Sequence, residues 1–237
     1  MKLKMVLFDL DGTLLPMDQN TFTRAYFGGL AKKLAPLGYE KDALVSAIWA
    51  GSQAMVENDG QKSNEEVFWD SFSAVLGNRV RDDYQSFEEY YRDDFDKVKE
   101  VCGYTPSAKA AVMEFKNMGL RVALATNPLF PTEATERRIS WTGLSPSDFE
   151  LFTTYENSKF CKPNLSYYKS ILEKLGVKAE ECLMVGNDVG EDMIAKELGM
   201  DVFLVTDCLI NKENKDISEF PNGDLDELIR YVKNKEN

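Results

Sequence analysis

Two adjacent stretches near the start of the chain decide the fold: Met5-Val6-Leu7-Phe8, and directly after it Asp9-Leu10-Asp11-Gly12-Thr13-Leu14-Leu15. The first is a short apolar run, which is typical of a strand buried on both faces. The second places two carboxylates two residues apart at the end of that strand. Open α/β sheets bind their ligands at the carboxyl ends of the strands. The stretch therefore predicts either an acidic ligand site or a solvated Asp-Gly turn.

Further apolar runs predict more buried strands. These are Arg121–Ala125, Cys182–Val185, Val202–Val205 and, more weakly, Phe149–Thr154. Segments of helical period lie between them, and each ends at a glycine. These helices are expected at Pro106–Met118, Leu165–Leu175 and Glu191–Leu198. Repeated strand, helix and glycine indicate βαβ units, so we expect an α/β, doubly wound, Rossmann-like fold with a parallel five-stranded sheet.

About ninety residues between the first strand and Pro106 lack a strand pattern. They show four amphipathic helical segments: Thr21–Leu37, Asp42–Glu57, Asn64–Leu76 (with Asn64 as a helix cap) and Ser86–Val98. We therefore predict a core of residues 1–16 and 105–237 and an inserted all-α cap of residues 17–104. Short linkers at 17–18 and 103–105 would permit a hinge, although a rigidly docked insert is the alternative. The loop 58–62 is either a substrate contact or a solvated connection.

Composition excludes several classes of function. With 28 basic and 40 acidic residues the net charge is −12, which disfavours nucleic acid and membrane surfaces as partners. The chain has no histidine, so a Ser-His-Asp triad and His-ligated zinc are excluded. The four cysteines are scattered, which is typical of buried thiols in a reducing compartment. With no leader or apolar span evident, we expect a cytoplasmic protein.

Polar residues follow the other predicted strands in the same way. Thr126 and Asn127 follow the second strand, Lys162 precedes the helix at 165–175, and Gly186–Asp192 follows the strand at 182–185. The topology would gather a hydroxyl, an amide, an ammonium and several carboxylates in one cleft. Donors and a cation can hold the oxygens of a phosphoryl group there, while Mg²⁺ would offset the carboxylates.

These four segments resemble the signature motifs of the haloacid dehalogenase-like (HAD) hydrolase superfamily, and the helical insert resembles its C1-type cap. The resemblance implies that Asp9 is a nucleophile forming an aspartyl-phosphate and that Asp11 is the general acid/base. Thr126 and Lys162 would bind phosphoryl oxygens. Mg²⁺ would be held by the Asp9 carboxylate, the Asp11 carbonyl and an acidic residue of the last motif. It also implies the strand order 202–205, 182–185, 5–8, 121–125, 149–154.

The last motif departs from the family pattern because Asn187 stands where aspartate is usual. We expect Asp188 to supply the metal-binding carboxylate and Asn187 at most a neutral oxygen. Asp188 could also cap the following helix, which does not exclude metal binding. Asp192, one helical turn further on, would then orient Lys162 or a metal-bound water.

The resemblance predicts an Mg²⁺-dependent phosphatase acting on a small phosphorylated metabolite, as a monomer or weak homodimer. Alternatives are a phosphomutase on the same scaffold and a catalytically silent binding protein. A dehalogenase is disfavoured because Asp11 supplies the acid/base that phosphoryl transfer needs. A signalling receiver domain is disfavoured because such domains are about half this length and carry the phosphorylated aspartate after a middle strand.

Overall fold

Five parallel strands form the sheet in the computed structural model, which describes residues 2–236. They are Met5–Phe8 (β1), Arg121–Leu124 (β2), Cys182–Gly186 (β3), Asp201–Val205 (β4) and Asn222–Gly223 (β5). Their order across the sheet is β2-β1-β3-β4-β5. The register pairs Phe8 with Leu124 on one side and with Val185 on the other. Three strands therefore end at the same level, and the predicted doubly wound α/β fold is confirmed.

Both faces of the sheet are buried, as the continuous apolar runs predict. On one face, Val6 and Phe8 of β1 lie in an apolar cluster with Phe115. On the other face, Met5 and Leu7 lie in a second cluster with residues of the 165–175 helix. Successive side chains of a strand point to opposite faces, so an apolar residue is needed at every position of β1.

The helices flank this sheet and form the insert. Those of the insert are Gln19–Leu34 (α1), Lys41–Val56 (α2), Asn64–Leu76 (α3), Arg79–Asp82 (α4) and Tyr84–Glu89 (α5). The others are Pro106–Asn117 (α6), Thr132–Trp141 (α7), Leu165–Leu175 (α8) and Leu225–Glu236 (α9). Short 3₁₀ segments lie at Ala35–Leu37, Phe95–Val101, Pro146–Asp148, Ala179–Glu181 and Met193–Leu198. The division of the chain into core and cap at residues 17 and 104 stays a prediction.

The predicted strand at Phe149–Thr154 is wrong as a regular strand. The segment lies beside β2 as expected, and three backbone N–H groups bond across the pair: Glu150 to Val122, Leu124 to Leu151 and Thr153 to Leu124. This pairing amounts to an isolated bridge, between Phe152 and Leu124, rather than a strand. β2 itself ends at Leu124, and the Thr153 hydroxyl turns to the carbonyl of Thr126, so the pairing stops there. The fifth strand is instead β5 at the opposite edge, beside β4. The order of the other four predicted strands is confirmed.

The insert is helical, but two of its predicted features are wrong. The cap of α3 is Ser63 rather than Asn64, because Ser63 and Glu66 bond to each other's backbone N–H groups. The single helix predicted over 86–98 is broken into α5, a π-helical turn at Tyr90–Asp94 and a 3₁₀ segment. The wider turn lets two consecutive tyrosines, Tyr90 and Tyr91, both direct their hydroxyls to Tyr26.

The α-helix predicted at Glu191–Leu198 is also wrong. The structure has a shorter 3₁₀ helix there, at Met193–Leu198. The side chain of Asp188 bonds to the N–H groups of Gly190 and Glu191, which keeps that stretch in a turn. Helices α7 and α9 are not predicted by the sequence analysis. The four cysteines are free thiols, of which Cys161 and Cys182 are buried. No helix within residues 2–236 has both the length and the apolar character needed to cross a bilayer.

Candidate active site

The ends of three strands bring the predicted site residues together. β1 is followed by Asp9, β2 within two residues by Thr126, and β3 by Asn187. A cavity opens at this edge of the sheet, below the helical insert. The predicted site residues that line it are Asp9, Asp11, Thr126, Asn127, Asp188 and Asp192. Lys162, the remaining one, contacts Asp9, so the structure places all seven in one site.

Asp9 is held by donors on both of its carboxylate oxygens. Lys162 Nζ donates to Oδ1 at 2.9 Å, and the Thr13 hydroxyl donates to Oδ2 at 3.1 Å. The backbone N–H of Asp9 donates to the Val185 carbonyl of β3 at 2.8 Å, which fixes the residue at the strand end. The residue is 7% exposed. Asp9 is therefore an oriented side chain that lines a cavity.

Lys162 is a buried cation between two carboxylates. Its side chain is 1% exposed, and Nζ lies 2.9 Å from Asp9 Oδ1 and 2.6 Å from Asp192 Oδ1. Burial alone would lower the pKa of Lys162, but the charges of Asp192 and Asp9 hold that pKa well above its usual range. Gly186 makes room for this contact, because a Cβ there would lie 2.1 Å from Asp192 Oδ2.

Asp11 forms an ion pair that the sequence reasoning missed. Its Oδ2 accepts a hydrogen bond from the guanidinium of Arg138, a residue of α7 whose side chain is 0% exposed. That guanidinium also lies over the Phe130 ring, 4.3 Å from the centroid. The other oxygen of Asp11, Oδ1, is enclosed and has no hydrogen-bond partner among the described residues. Burial raises the pKa of Asp11 more than Arg138 lowers it.

The Asp-Gly turn fits closely against Asn187. Gly12 has φ +90°, and a Cβ there would lie 2.3 Å from Asn187 Nδ2. That nitrogen donates to the Cys208 carbonyl at 2.6 Å, which turns Oδ1 of the amide toward β1. The Thr13 hydroxyl lies 3.0 Å from Asn187 Oδ1 and 3.1 Å from Asp9 Oδ2. Asn187 thus presents a neutral oxygen to the Thr13 hydroxyl, which also contacts Asp9.

Asp188 serves as a cap in this structure. Its Oδ1 accepts from the N–H groups of Gly190 at 2.7 Å and Glu191 at 3.0 Å. Its own N–H donates to Asp192 Oδ2 at 2.9 Å. Asp192 therefore bonds both Lys162 and the backbone of Asp188, which couples the position of the ammonium to the last motif.

Thr126 and Asn127 follow β2 and line the same cavity. The Thr126 carbonyl accepts from the hydroxyls of Thr153 at 2.6 Å and Tyr167 at 2.8 Å, so this turn is fixed. Asn127 Nδ2 donates to Glu191 Oε2 at 3.0 Å. Burial raises the pKa of Glu191, which is a carboxylate that the site prediction does not include.

The donor set suits a hard divalent cation. Asp9, Asp11, Asn187 and Asp188 line the same cavity and offer carboxylate, amide and carbonyl oxygens. No three acidic or thiol side chains of residues 2–236 form a closed cage for a metal ion. Magnesium needs no such cage, because it binds one or two carboxylates and retains several waters. The residues present therefore fit Mg²⁺, and the close contact of Gly12 with Asn187 leaves the oxygens of the two motifs adjacent.

The loop at 58–62 does not line the cavity. Asn58 is buried, and its Nδ2 donates to Asn64 Oδ1 at 2.8 Å and to the Lys62 carbonyl at 3.1 Å. Lys62 pairs at the surface with Asp70. These contacts favour the interpretation of the loop as a helix connection.

Three residues of the site are missing from the sequence-based set: Thr13, Arg138 and Glu191. Thr13 and Glu191 lie inside the quoted motifs, but their roles depend on partners more than 60 positions away. Arg138 follows Ala134 by four residues, and both are buried on α7. An arginine on the apolar face of a helix is a signal for a buried ion pair, and it could have identified this residue.

The fold and the site together define a class of protein: a parallel α/β hydrolase with paired aspartates after the first strand and a helical insert above them. The chain belongs to the haloacid dehalogenase-like hydrolase family, whose model matches residues 3–199. That membership excludes a receiver domain.

Relatives in this family are phosphatases by name. The chain is 34% identical over 131 residues to glyceraldehyde 3-phosphate phosphatase of Methanocaldococcus jannaschii, which covers 54% of this chain and 56% of that protein. It is 26% identical over 190 residues to pyrophosphatase PpaX of Bacillus cereus, covering 79% of this chain and 76% of that one. The crystal structure of a predicted phosphoglycolate phosphatase from Haemophilus somnus matches with TM-score 0.60 and 17% identity over 98% of this chain and 99% of that one. This last likeness shows the fold.

Proposed function

We propose that this protein is an Mg²⁺-dependent phosphatase that hydrolyses a small phosphate monoester through an aspartyl-phosphate intermediate. The observation that carries the proposal is the environment of Asp9. Its carboxylate is oriented by Lys162 and Thr13 and lies in the cavity beside the enclosed oxygen of Asp11. The names of the curated relatives support phosphate ester hydrolysis as the reaction class.

In the first step, a carboxylate oxygen of Asp9 forms a bond to phosphorus while the bond from phosphorus to the leaving oxygen breaks. Thr126, Asn127 and Lys162 donate to the phosphoryl oxygens. Bound Mg²⁺ would be held by Asp9, the Asp11 carbonyl and the oxygens of the last motif, and would offset the negative charge that collects there. Asn187 Oδ1 contacts the Thr13 hydroxyl, and Asp188 Oδ1 is used in capping. The other carboxylate oxygen of Asp188 would therefore be the main ligand, and Asn187 would supply at most a neutral oxygen.

Asp11 supplies the proton transfers. In its protonated form it donates to the leaving oxygen, and as a carboxylate it then takes a proton from the water that attacks the aspartyl-phosphate. That attack breaks the bond between Asp9 and phosphorus, releases inorganic phosphate and restores protonated Asp11. Burial raises the pKa of Asp11, which favours the protonated form needed in the first step.

The test uses p-nitrophenyl phosphate, Mg²⁺ and the full chain. Wild type should release inorganic phosphate, lose activity in EDTA and regain it with Mg²⁺, with Ca²⁺ a poor replacement because its coordination is larger and looser. Asp9→Asn should be folded and inactive, because an amide is a poor nucleophile. Activity that persists in Asp9→Asn, or after exhaustive chelation, contradicts the mechanism. An inactive wild type indicates the catalytically silent alternative.

A further inference from the structure

The cavity at the strand ends continues upward between the helices of the insert. Its volume is about 270 Å³, which is near the lower end of small-molecule sites. Above the catalytic residues its walls are mostly apolar and aromatic. The aromatic residues of these walls include Phe22, Tyr26, Trp49, Phe68, Phe130 and Tyr155. A space of this size holds one ring or a branched chain beyond the phosphoryl group.

The charged residues that line this cavity are all acidic. No lysine or arginine of residues 2–236 is among the residues that line it, whereas Glu88 and Glu133 add to the catalytic carboxylates. The two nearest cations are already paired, Lys162 with Asp9 and Asp192, and Arg138 with Asp11. A second anionic group on a substrate would lose its hydration here and gain no counter-charge.

We propose that the cavity selects phosphate monoesters whose leaving group bears no negative charge and is largely apolar, such as an aromatic or branched alcohol. This inference rests on the proposed phosphatase function and names its substrate class. Aromatic walls stabilise a ring by burial of apolar area, while the carboxylate field excludes leaving groups that bear a carboxylate or a second phosphate. A pyrophosphate, whose leaving group is anionic, is accordingly a poor substrate.

The experiment compares three substrates of one shape: benzyl phosphate, 4-carboxybenzyl phosphate and 4-(aminomethyl)benzyl phosphate. All three leave as benzylic alcohols, so their intrinsic reactivities are similar and the charge of the para group is the variable. We expect kcat/KM for benzyl phosphate to exceed that for the carboxylate by at least about tenfold, the discrimination that a difference of about 1.4 kcal/mol produces. We expect the ammonium compound to exceed the carboxylate compound as well, because the carboxylates that line the cavity favour a cation. A carboxylate compound that equals or exceeds either of the other two substrates overturns the proposal.

A variant tests whether the cavity wall is the cause. Ser52 of α2 lines the cavity outside the catalytic machinery, and Ser52→Lys would place an ammonium there. The ratio of kcat/KM for benzyl phosphate to kcat/KM for 4-carboxybenzyl phosphate should then fall about tenfold. Ser46→Lys is the matched control, since Ser46 is exposed on the same helix and does not line the cavity. Equal shifts in both variants, or no shift in Ser52→Lys, contradict the assignment.

Methyl phosphate separates this inference from the proposed function. Its leaving group, methanol, is uncharged and too small to depend on the aromatic walls, and its hydrolysis still requires Asp9. If methyl phosphate is hydrolysed and the benzylic series shows no preference, only the substrate class is wrong. If no phosphate compound is hydrolysed, the phosphatase function and the substrate class fall together.

Discussion

At the scale of single residues, the site is built from buried charges that neutralise one another. Lys162 lies between Asp9 and Asp192, and Arg138 pairs with Asp11. Removal of one partner from a buried ion pair typically costs about 3–5 kcal/mol, because the other charge stays buried and unpaired. Substitution of Lys162 would therefore change both folding and catalysis, whereas Asp→Asn changes keep the shape and test the chemistry more cleanly.

Asp11→Asn should separate the two chemical steps. An amide cannot accept the proton of the attacking water, so steady-state kcat should fall by about 10²–10⁴-fold, the usual contribution of a general acid or base. Formation of the aspartyl-phosphate from p-nitrophenyl phosphate should persist in part, because p-nitrophenolate leaves without a proton. Stopped-flow absorbance should show a burst stoichiometric with enzyme, followed by slow turnover. A wild-type steady-state rate would contradict the role of Asp11.

Arg138 is expected to position Asp11 rather than to contact substrate, because its guanidinium is buried behind that carboxylate. Arg138→Met should lower kcat more than it changes KM, by roughly 10²-fold, as is common when a catalytic group is displaced by about 1 Å. Arg138→Lys should restore part of the rate, since it returns a cation to the pair. Steady-state kinetics measure all three enzymes.

The matched control for this prediction is Arg230→Met on the exposed surface of α9. It removes the same charge far from the site and should leave kcat unchanged. Circular dichroism shows whether Arg138→Met is folded at the assay temperature. Equal losses in kcat for Arg138→Lys and Arg138→Met, with both folded, would contradict a positioning role for the charge.

The sequence predicts Asp9, Asp11, Thr126 and Lys162 as site residues because each follows or precedes an element whose pattern is clear. Arg138 was missed for a physical reason. Its partner, Asp11, is 127 positions away, and α7 itself was not recognised. The roles of Asn187 and Asp188 as metal ligands depend on how their side chains are rotated. Nδ2 of Asn187 bonds to the Cys208 carbonyl, and sequence spacing does not predict this contact.

At the scale of elements, α3 shows how a local signal stabilises the insert. Ser63 and Glu66 form a capping box at its start, and the helix contributes Phe68 and Trp69 to the cavity. Ser63→Ala should lower the free energy of unfolding by about 1 kcal/mol, the usual cost of a lost N-cap. Urea denaturation measures it. Ser107→Ala within α6 is the control and should have a smaller effect, so equal losses would contradict the capping role.

The same cap gives a pH dependence of stability. The bonds from the Ser63 backbone and hydroxyl hold the pKa of Glu66 below its usual value. A carboxyl with a lowered folded-state pKa stabilises the fold fully above its unfolded pKa, roughly 4.3, and loses that contribution as pH falls through the folded-state value. The stability difference between wild type and Glu66→Ala should therefore shrink from pH 6 to pH 3. A constant difference in urea titrations across that range would contradict this origin.

Elements with a clear local pattern in the sequence, such as a continuous apolar run, are predicted well. Elements whose form depends on tertiary contacts are not. β1 and β3 have continuous apolar runs, and their positions are confirmed. The segment 149–154 has the right composition for a strand and bonds to β2, but its pairing amounts to one isolated bridge. Period alone also cannot reveal a π-helical turn, since the turn at 90–94 depends on both tyrosines contacting Tyr26.

At the scale of the whole molecule, the insert contacts the rest of the chain on two sides. On the linker side, the Gly103 N–H donates to the Pro16 carbonyl at 2.7 Å, and Asp96 accepts from Trp141 at 2.9 Å. On the far side, the start of α3 is docked by two backbone bonds, from Asn64 N–H to Ser158 O at 2.8 Å and from Glu65 N–H to Tyr155 O at 2.9 Å. The linker residue Met17 and Cys102, which precedes the second linker, form an isolated bridge, so the two linkers are adjacent, which suits a hinge. The far-side bonds tie α3 to the segment that carries Tyr155, a residue of the cavity wall.

The two linkers are expected to act as that hinge. If residues 17–18 and 103–105 are the pivot, the insert opens by breaking the far-side contacts, which include the two backbone bonds and the side-chain bonds from Asn64 to the Pro128 carbonyl and Cys161 Sγ. Opening admits substrate, and reclosing excludes water from the aspartyl-phosphate. Mg²⁺ with beryllium fluoride mimics the phosphoryl group on Asp9 and should contract the molecule in small-angle scattering. Asp9→Asn, which cannot form that adduct, is the control and should not contract. Superimposable wild-type curves, with binding confirmed by calorimetry, would instead favour a rigidly docked insert whose substrate enters without opening.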